Sequence, residues 1–281
     1  MSLSSTTSAE LLSVARTVAL AAGERILEAR RGFVEVADVK SSSVDVVTQV
    51  DRDAESFIRA RLAELRPNDG FLGEESGGGS GTSGLTWVVD PIDGTVNFLY
   101  GIPHYAVSIA VVEGDADPQL WRALAGVVVN PATGEVFSAA AGAGAHLGAH
   151  PIRVAAPVPL DQALVATGFA YVAATRAEQG AAIARLLPRV RDIRRMGTAS
   201  LDLCAVASGR VNAYFERTLN PWDHAAGALI AVEAGAAVTG MPGARGDHRF
   251  LLAAHPDVVA VLAPVLTDVG ALPPTDAGSN E

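Results

Sequence analysis

The stretch at residues 87–97, WVVDPIDGTVN, constrains the fold most strongly, because a run apolar enough to be buried ends in two aspartates. The residue before a proline is driven to extended geometry. Pro91 is therefore expected to hold Asp90 at the end of a strand and to turn the chain, so that Asp93 lies beside Asp90. A buried strand that ends in two adjacent carboxylates requires a partner that neutralises them.

A divalent cation is one way to accommodate this pair of charges, since Mg²⁺ takes its ligands from carboxylates, water and substrate phosphate. Gly94 and Thr95 follow directly and are expected to open a short helix. The first N–H groups of a helix have no partner within it and can bind an anion. Taken alone, the stretch is equally well read as an ordinary turn, because Asp-Gly is a common turn pair.

Two other acidic residues stand at the ends of predicted elements. Glu74, in the sequence GEES, follows a short apolar strand, and Asp223, in NPWDHAAGA, stands at the start of an apolar helix. The alternative for Glu74 is a solvated loop glutamate. The alternative for Asp223 is an N-cap aspartate, although one residue can cap a helix and bind a ligand at the same time.

Composition restricts the class of protein. The chain has 281 residues, which suits one large domain or two close-packed subdomains. Its net charge of −10 argues against direct nucleic-acid binding but leaves room for a small phosphorylated partner, because metal ions invert local charge. Cys204 is the only cysteine, so no internal disulfide forms and a reducing, cytoplasmic setting is expected. No run is apolar enough to span a bilayer, so no membrane partner is expected.

Helical and strand patterns alternate along the chain. Helices are predicted at 8–30, about 52–66, 176–187, 198–207, 223–234 and from after residue 253 to about 265. Strands are predicted at 71–72, 86–89, 105–113, 120–129, 135–140, 145–147, 164–167, 211–215 and 250–253. Residues 40–51 and 76–84 are interpreted as loops. This mixture predicts an α/β (α+β) fold with an N-terminal subdomain, 1–150, that carries most of the acidic residues, and a C-terminal subdomain, 151–281.

Three motifs, GEES, WVVDPIDGTVNF and WDHAAGA, occur in an order and spacing that resembles the inositol monophosphatase family. The likeness runs from about residue 9 to residue 264 and is strongest for the bacterial inositol-1-monophosphatases. It implies a layered αβαβα sandwich, a homodimer and membership of the magnesium-dependent, lithium-sensitive phosphatases.

The resemblance implies two metal sites that share one aspartate. Glu74, Asp90 and the Ile92 carbonyl would hold the first Mg²⁺, and Asp90, Asp93 and Asp223 would hold the second. A third ion is implied if the loop that contains Lys40 closes over the site. Beside Asp45 in that loop, the family commonly carries proline where this chain has Val44.

The resemblance also implies the catalytic and substrate groups. Gly94 and Thr95 would contact phosphate through backbone N–H groups, and Asp51 would pair with the Thr95 hydroxyl to orient the attacking water. Glu74 is the third catalytic residue in this interpretation. The other substrate contacts that it implies are Asp93, Gly197, Thr198, Ala199, Glu216 and Asp223.

The function that follows from the resemblance is Mg²⁺-dependent hydrolysis of a small phosphorylated cyclitol or sugar, with inositol 1-phosphate as the first expectation. Histidinol-phosphate phosphatase and fructose-1,6-bisphosphatase activities use similar scaffolds and are alternatives. A regulatory protein that binds the transcription machinery is an alternative of another class. Asp51 and Thr95 argue against a purely non-catalytic role, because binding alone does not require them.

Overall fold

A computed structural model describes residues 7–32, 36–39 and 46–273, with the backbone alone described at 36–39, 46 and 47. Lys40, Val44 and Asp45 lie outside the described residues, and so does the part of the loop predicted to close over the site. None of the helices in the described part of the chain combines the length and the apolar character that crossing a bilayer requires.

The described residues form helices and strands in the predicted order. The α-helices are α1 (Ser8–Arg30), α2 (Gln49–Leu65), α3 (Thr95–Tyr100), α4 (Ala173–Leu186), α5 (Ala199–Ala207), α6 (Pro221–Glu233) and α7 (Pro256–Asp268). The strands are β1 (Val36–Val39), β2 (Val46–Thr48), β3 (Gly70–Gly73), β4 (Gly77–Gly79), β5 (Leu85–Asp93), β6 (Ala106–Glu113), β7 (Arg122–Asn130), β8 (Glu135–Ala140), β9 (Ala145–Leu147), β10 (His150–Ile152), β11 (Leu164–Thr167), β12 (Asp192–Arg194), β13 (Ala213–Glu216), β14 (Ala237–Thr239) and β15 (Leu251–Ala254). The short helix predicted after Gly94 is confirmed as α3.

Helix α1 starts where a capping box predicts it. The Thr7 hydroxyl accepts a hydrogen bond from the Glu10 N–H at 3.2 Å, and the Glu10 carboxylate accepts one from the Thr7 N–H at 2.8 Å. These reciprocal bonds satisfy two N–H groups that the helix leaves without partners. The helix then buries a stripe at helical spacing, which comprises Leu11, Ala15, Val18, Ala19, Ala22 and Ile26.

Two sheets organise the described part of the chain. The larger has the strand order β10-β9-β8-β7-β6-β5-β3-β4 and the smaller has the order β12-β11-β13-β15-β14, while β1 and β2 form a separate ribbon. The larger sheet takes its strands from residues 70–152 and the smaller from residues 164–254. The division of the chain into 1–150 and 151–281 stays a prediction.

Helices cover both faces of each sheet and produce five layers. One apolar cluster joins α1 and α2 to one face of the larger sheet. A second places α5 and α6 between the two sheets, and a third joins α4 and α7 to the outer face of the smaller sheet. The predicted α/β class and layered αβαβα sandwich are confirmed. Strand β5 is covered on both sides, since Val88 belongs to the middle cluster and its neighbours Trp87 and Val89 to the outer one.

The prediction that the strand ends at Asp90 is wrong, because β5 continues to Asp93. Asp90 pairs with Ser108 and Asp93 with Ala106, so β5 has one more residue than β6 between these two pairs. Pro91 has no N–H for the sheet ladder, and a bulge is one of the few places where a central strand tolerates proline. The bulge therefore replaces the turn that was predicted.

Short strands account for the other differences. Part of the predicted loop at 76–84 is β4, which pairs with β3, and part of the predicted loop at 40–51 is β2, which pairs with β1. β1, β10, β12 and β14 are also absent from the prediction. Each of these six strands has three or four residues, which is too few to establish a period of two, so the partner strand decides their conformation.

Helix α6 lies directly against β7 at a glycine. A Cβ at Gly126 would stand 3.0 Å from the Ala226 Cα and 3.1 Å from the Ala226 carbonyl oxygen. Real Cβ atoms are rarely that close to backbone, so the absence of a side chain at this position sets how closely the middle helix layer approaches the larger sheet.

We expect Gly126→Ala to lower the free energy of unfolding by about 1–3 kcal/mol, because the added methyl group must push α6 away from the sheet. Gly180→Ala on α4 is the matched control, since a Cβ there meets nothing within 4 Å and the change favours helix. Urea denaturation of both variants measures the difference. Equal stabilities would contradict the close-approach interpretation.

Candidate active site

The predicted site residues line one cavity of about 200 Å³ between the layers. Of the residues given roles above, only Asp51 is outside the lining, and it contacts the cavity through Thr95. The lining includes Glu74, Asp90, Ile92, Asp93, Gly94, Thr95, Gly197, Thr198, Ala199, Glu216 and Asp223. Residues that are up to 149 positions apart in sequence are therefore brought together by the fold.

The two aspartates of the β5 bulge are each anchored through one carboxylate oxygen. Asp90 Oδ1 accepts a hydrogen bond from the Ile92 N–H at 3.0 Å. Asp93 Oδ2 accepts one from the Ser200 N–H at the start of α5, at 2.7 Å. These bonds orient both carboxylates, and both residues line the cavity.

Asp223 is anchored in the same way, but not as the N-cap residue that the alternative interpretation supposed. Helix α6 begins at Pro221 with Asn220 as its N-cap, so Asp223 is at the third helical position. Asp223 Oδ2 accepts a hydrogen bond from the Asn220 N–H at 2.6 Å. The residue therefore contributes to the helix cap with one oxygen and lines the cavity as well.

These carboxylates interact strongly because they are buried together. Burial, followed by the charges of Glu74, Asp93 and Asp223, raises the pKa of Asp90 well above its ordinary value, and a hydrogen bond with Glu74 adds to the rise. Burial raises the pKa of Asp93 to about 7. Burial and the charge of Glu74 raise the pKa of Asp223 as well. Each ionised group thus raises the cost of ionising the others.

The chemistry of the donor set fits a hard divalent cation. The cavity gathers the four carboxylates proposed as metal ligands, together with Ile92, whose carbonyl oxygen is the fifth proposed donor. Mg²⁺ prefers oxygen donors of these two kinds. As the side chains stand, no group of three or more His, Cys, Asp or Glu residues in the described ranges has the spacing to hold a metal ion. The donors therefore share one cavity without forming a closed coordination sphere.

Glu74 is positioned by Glu55, a residue that the sequence interpretation missed. Glu55, on α2 and 2% exposed, accepts hydrogen bonds from the Glu75 and Ser76 N–H groups, each at 2.7 Å. Its two oxygens fix the backbone immediately after Glu74. The sequence signal was available, because Glu55 lies on the same helical face as Asp51, Ile58 and Leu62, where a charge requires a partner.

Asp51 and Thr95 are in contact, as the resemblance implied. The Thr95 hydroxyl lies 3.0 Å from Asp51 Oδ1 and 3.1 Å from the Ile92 carbonyl oxygen. Asp51 Oδ2 is occupied by the capping box of α2, where it accepts hydrogen bonds from the N–H and hydroxyl of Thr48. Burial raises the pKa of Asp51 to about 6, while the bonds from Thr48 oppose the rise. The carboxylate is therefore ionised at neutral pH.

Gly94 allows two segments of the chain to meet at the cavity. It has φ of +92°, and a Cβ there would stand 3.2 Å from the His104 carbonyl oxygen. Asn97, a second residue missed from the sequence, donates hydrogen bonds to the carbonyl oxygens of His104 and Met196, both at 2.8 Å. The Thr198 hydroxyl donates to the same His104 oxygen at 2.9 Å. These bonds join α3 to the segment that carries Gly197 and Thr198.

Glu216, at the end of β13, lines the same cavity and is held by a hydrogen bond. The Tyr214 hydroxyl, which is buried, donates a hydrogen bond to Glu216 Oε2 at 2.7 Å. Burial raises the pKa of Glu216 to about 7, whereas that hydrogen bond and the positive charge of Arg195 oppose the rise. Tyr214 and Arg195 were not identified from the sequence.

The residues that line the cavity do not include Cys204, His104 or His224. Cys204 is fully buried on α5, and burial raises the pKa of its thiol. Burial lowers the pKa of His224 to about 4, so its ring is neutral at physiological pH, and burial lowers that of His104.

Comparison with known proteins identifies what the chain resembles. A family model described as the inositol monophosphatase family matches residues 7–269. The chain is 47% identical over 245 residues to the inositol-1-monophosphatase SuhB of Mycobacterium tuberculosis H37Rv, covering 84% of this chain and 82% of that protein. It is 38% identical over 260 residues to a protein of Neisseria meningitidis serogroup B named putative Nus factor SuhB, covering 91% and 97%.

Comparison of the fold with solved structures agrees with the sequence comparison. The solved structure of Mycobacterium tuberculosis SuhB matches with a TM-score of 0.77 and 43% sequence identity, over 94% of this chain and 98% of that one. A family model that matches most of the chain and a relative with this level of identity show family membership, and the agreement of the folds is consistent with it.

We expect Glu55→Ala to lower the free energy of unfolding by about 2 kcal/mol or more, since hydrogen bonds to charged groups contribute about 1.5–3 kcal/mol each. Calorimetric titration with Mg²⁺ should also show weaker binding, because the backbone that carries Glu74 loses its anchor. Glu64→Ala, at an exposed position of the same helix, is the control. Unchanged stability and unchanged Mg²⁺ binding in Glu55→Ala would show that Glu55 does not position Glu74.

Proposed function

The chain belongs to the inositol monophosphatase family and is a phosphatase of that family, and from this premise we propose that it hydrolyses inositol 1-phosphate to myo-inositol and phosphate with Mg²⁺. The observation that carries this proposal is the contact between Thr95 and Asp51 beside the buried carboxylates. A protein that only bound a ligand would not need a hydroxyl held by a carboxylate in the wall of an acidic cavity.

Two Mg²⁺ sites are part of the proposal, and the family is generally metal-dependent. Glu74, Asp90 and the Ile92 carbonyl would hold the first ion, and Asp90, Asp93 and Asp223 the second. When bound, Mg²⁺ lowers the pKa of coordinated water and neutralises charge on phosphate and on the leaving oxygen. A third ion would involve the loop around Lys40, which lies outside the described residues.

The proposed roles of the chain's own groups follow from their hydrogen bonds. A hydroxyl has one proton, and Thr95 directs it to Asp51 or to the Ile92 carbonyl. The lone pairs of the Thr95 oxygen are then free to accept a proton of the attacking water and so to orient it. Asp51, ionised above a pKa of about 6, increases the basicity of that oxygen.

Phosphate would bind at the start of α3, where the N–H groups of Gly94 and Thr95 have no partner within the helix. Water attacks the phosphorus from the side opposite the leaving oxygen, so no phosphoenzyme is expected. Asp93, Gly197, Thr198, Ala199, Glu216 and Asp223 are the remaining proposed substrate contacts. All of them line the cavity, and in this proposal their polar groups contact the alcohol of the ester.

Two alternative activities use the same chemistry. Histidinol phosphate and fructose 1,6-bisphosphate could be hydrolysed by the same carboxylates, and the proposed metal ligands do not distinguish them. The name of the Neisseria relative supports a second role, as a factor of the transcription machinery. Activity assays with inositol 1-phosphate in the presence and absence of Mg²⁺ separate an enzyme from a binding protein.

The proposal includes a cytoplasmic homodimer that is inhibited by Li⁺. The buried free thiol of Cys204 is consistent with a reducing compartment. Tyr100 and Ile102, at the end of α3, are large apolar residues that are 75% and 47% exposed, and exposed apolar groups are typical of interaction surfaces. Light scattering of the purified protein measures the oligomeric state.

We expect Asp90→Asn to lower kcat/KM for inositol 1-phosphate by roughly 1,000-fold, about 4 kcal/mol of barrier. The amide can still accept the Ile92 hydrogen bond through Oδ1, so the backbone is preserved. The metal-free variant should be at least as stable as the wild type, because a buried charge that faces three other carboxylates is removed. Loss of activity together with lost stability would indicate misfolding, and near-normal turnover at saturating Mg²⁺ would exclude the bridging role.

We expect Thr95→Ala to lower kcat far more than it raises KM, since the N–H that contacts phosphate survives while the hydroxyl that orients water is lost. A decrease of about 100-fold or more in kcat is the range for one positioned acid–base group. Thr95→Ser keeps the hydroxyl and should retain most activity. An effect confined to KM would assign Thr95 to binding only.

A further inference from the structure

Two groups of opposite charge face the proposed substrate cavity, and only one of them was predicted from the sequence. Glu216 lies at the end of β13, and Arg195 lies between β12 and α5; both line the cavity. No ion pair within 4.0 Å joins them among the described residues. The guanidinium and the carboxylate therefore both line the cavity, without an ion pair between them.

Each of the two groups lies against a glycine. A Cβ at Gly197 would collide with Arg195 Nη1, and a Cβ at Gly168 would overlap the Glu216 carboxylate. The Tyr214 hydroxyl also holds Glu216 Oε2 at 2.7 Å. The Glu216 carboxylate is therefore fixed from behind, whereas the Arg195 guanidinium lies beside Gly197 at an exposed position.

We propose that Arg195 and Glu216 form a pair of opposite charges that selects neutral, polyhydroxylated leaving groups. This inference rests on the proposed phosphatase function and assigns Arg195 as a specificity-determining residue. A hydroxyl group both donates and accepts hydrogen bonds. A polyol can therefore donate to Glu216 and accept from Arg195 at the same time, with both bonds assisted by charge.

In each of the other two phosphate esters, a charge on the leaving group is repelled by one member of the pair. The ammonium of histidinol phosphate can pair with Glu216 but is repelled by the guanidinium of Arg195. A second phosphate, as in fructose 1,6-bisphosphate, can pair with Arg195 but is repelled by Glu216. The pair therefore disfavours both alternatives, each through a different residue.

Two substitutions that each remove one charge test the inference. Arg195→Met removes the positive charge at an exposed position, and Glu216→Gln removes the negative charge but keeps an oxygen for the Tyr214 hydroxyl. Arg194→Met is the matched control, since Arg194 is the adjacent arginine, pairs with Asp192 and lines a different cavity. Values of kcat/KM for inositol 1-phosphate, histidinol phosphate and fructose 1,6-bisphosphate are measured above the Glu216 pKa of about 7.

We expect each of the two substitutions to raise the relative activity towards a different alternative substrate. Arg195→Met should raise the ratio of histidinol phosphate to inositol 1-phosphate by roughly tenfold or more, the range of one charge-assisted hydrogen bond. Glu216→Gln should raise the ratio of fructose 1,6-bisphosphate to inositol 1-phosphate by a similar factor. Arg194→Met should leave both ratios at their wild-type values.

The outcomes separate this inference from the function on which it rests. If the wild type hydrolyses inositol 1-phosphate and Arg195→Met changes the ratios no more than Arg194→Met does, the inference is wrong and the proposed function stands. If Arg195→Met and Glu216→Gln both raise the same one of these two ratios, selection by opposite charges is also excluded. If the wild type hydrolyses none of the three esters, the proposed function fails and the inference fails with it.

Discussion

Repulsion among buried carboxylates is the constraint on which the rest of this structure depends. Asp90, Asp93 and Asp223 are each anchored by a backbone N–H through one oxygen. The anchors come from a bulge, from the start of α5 and from the start of α6. Charged groups removed from water are costly unless bonded, so the fold must supply these donors before the cavity can hold a cation.

Two of the site aspartates are also parts of helix caps. Asp51 and Asp223 each stand at the third position of a helix, where one oxygen accepts the N–H of the N-cap residue. A displacement of either helix start by one residue would rotate the carboxylate by about 100°. The geometry of the site therefore depends on the same local interactions that begin α2 and α6.

The layered architecture explains why the site lies where it does. Helix α3 follows the larger sheet, α5 and α6 fill the space between the sheets, and Glu216 ends a strand of the smaller sheet. Asn97 and Gly94 draw α3 against the segment before α5. The proposed metal ligands and substrate contacts are thus drawn from both sheets and from the helices between them, so no single layer forms the site.

The sequence by itself determined the elements with long periodic patterns, the capping box of α1 and the acidic motifs, because each depends on residues a few positions apart. Through the family resemblance, it also predicted a contact between Asp51 and Thr95. Only the tertiary structure decided the bulge at Asp90, the anchoring of the GEES turn by Glu55 and the approach of Arg195 to the cavity. Those features depend on which strand or segment packs alongside, and contacts between residues distant in the chain leave no local period in the sequence.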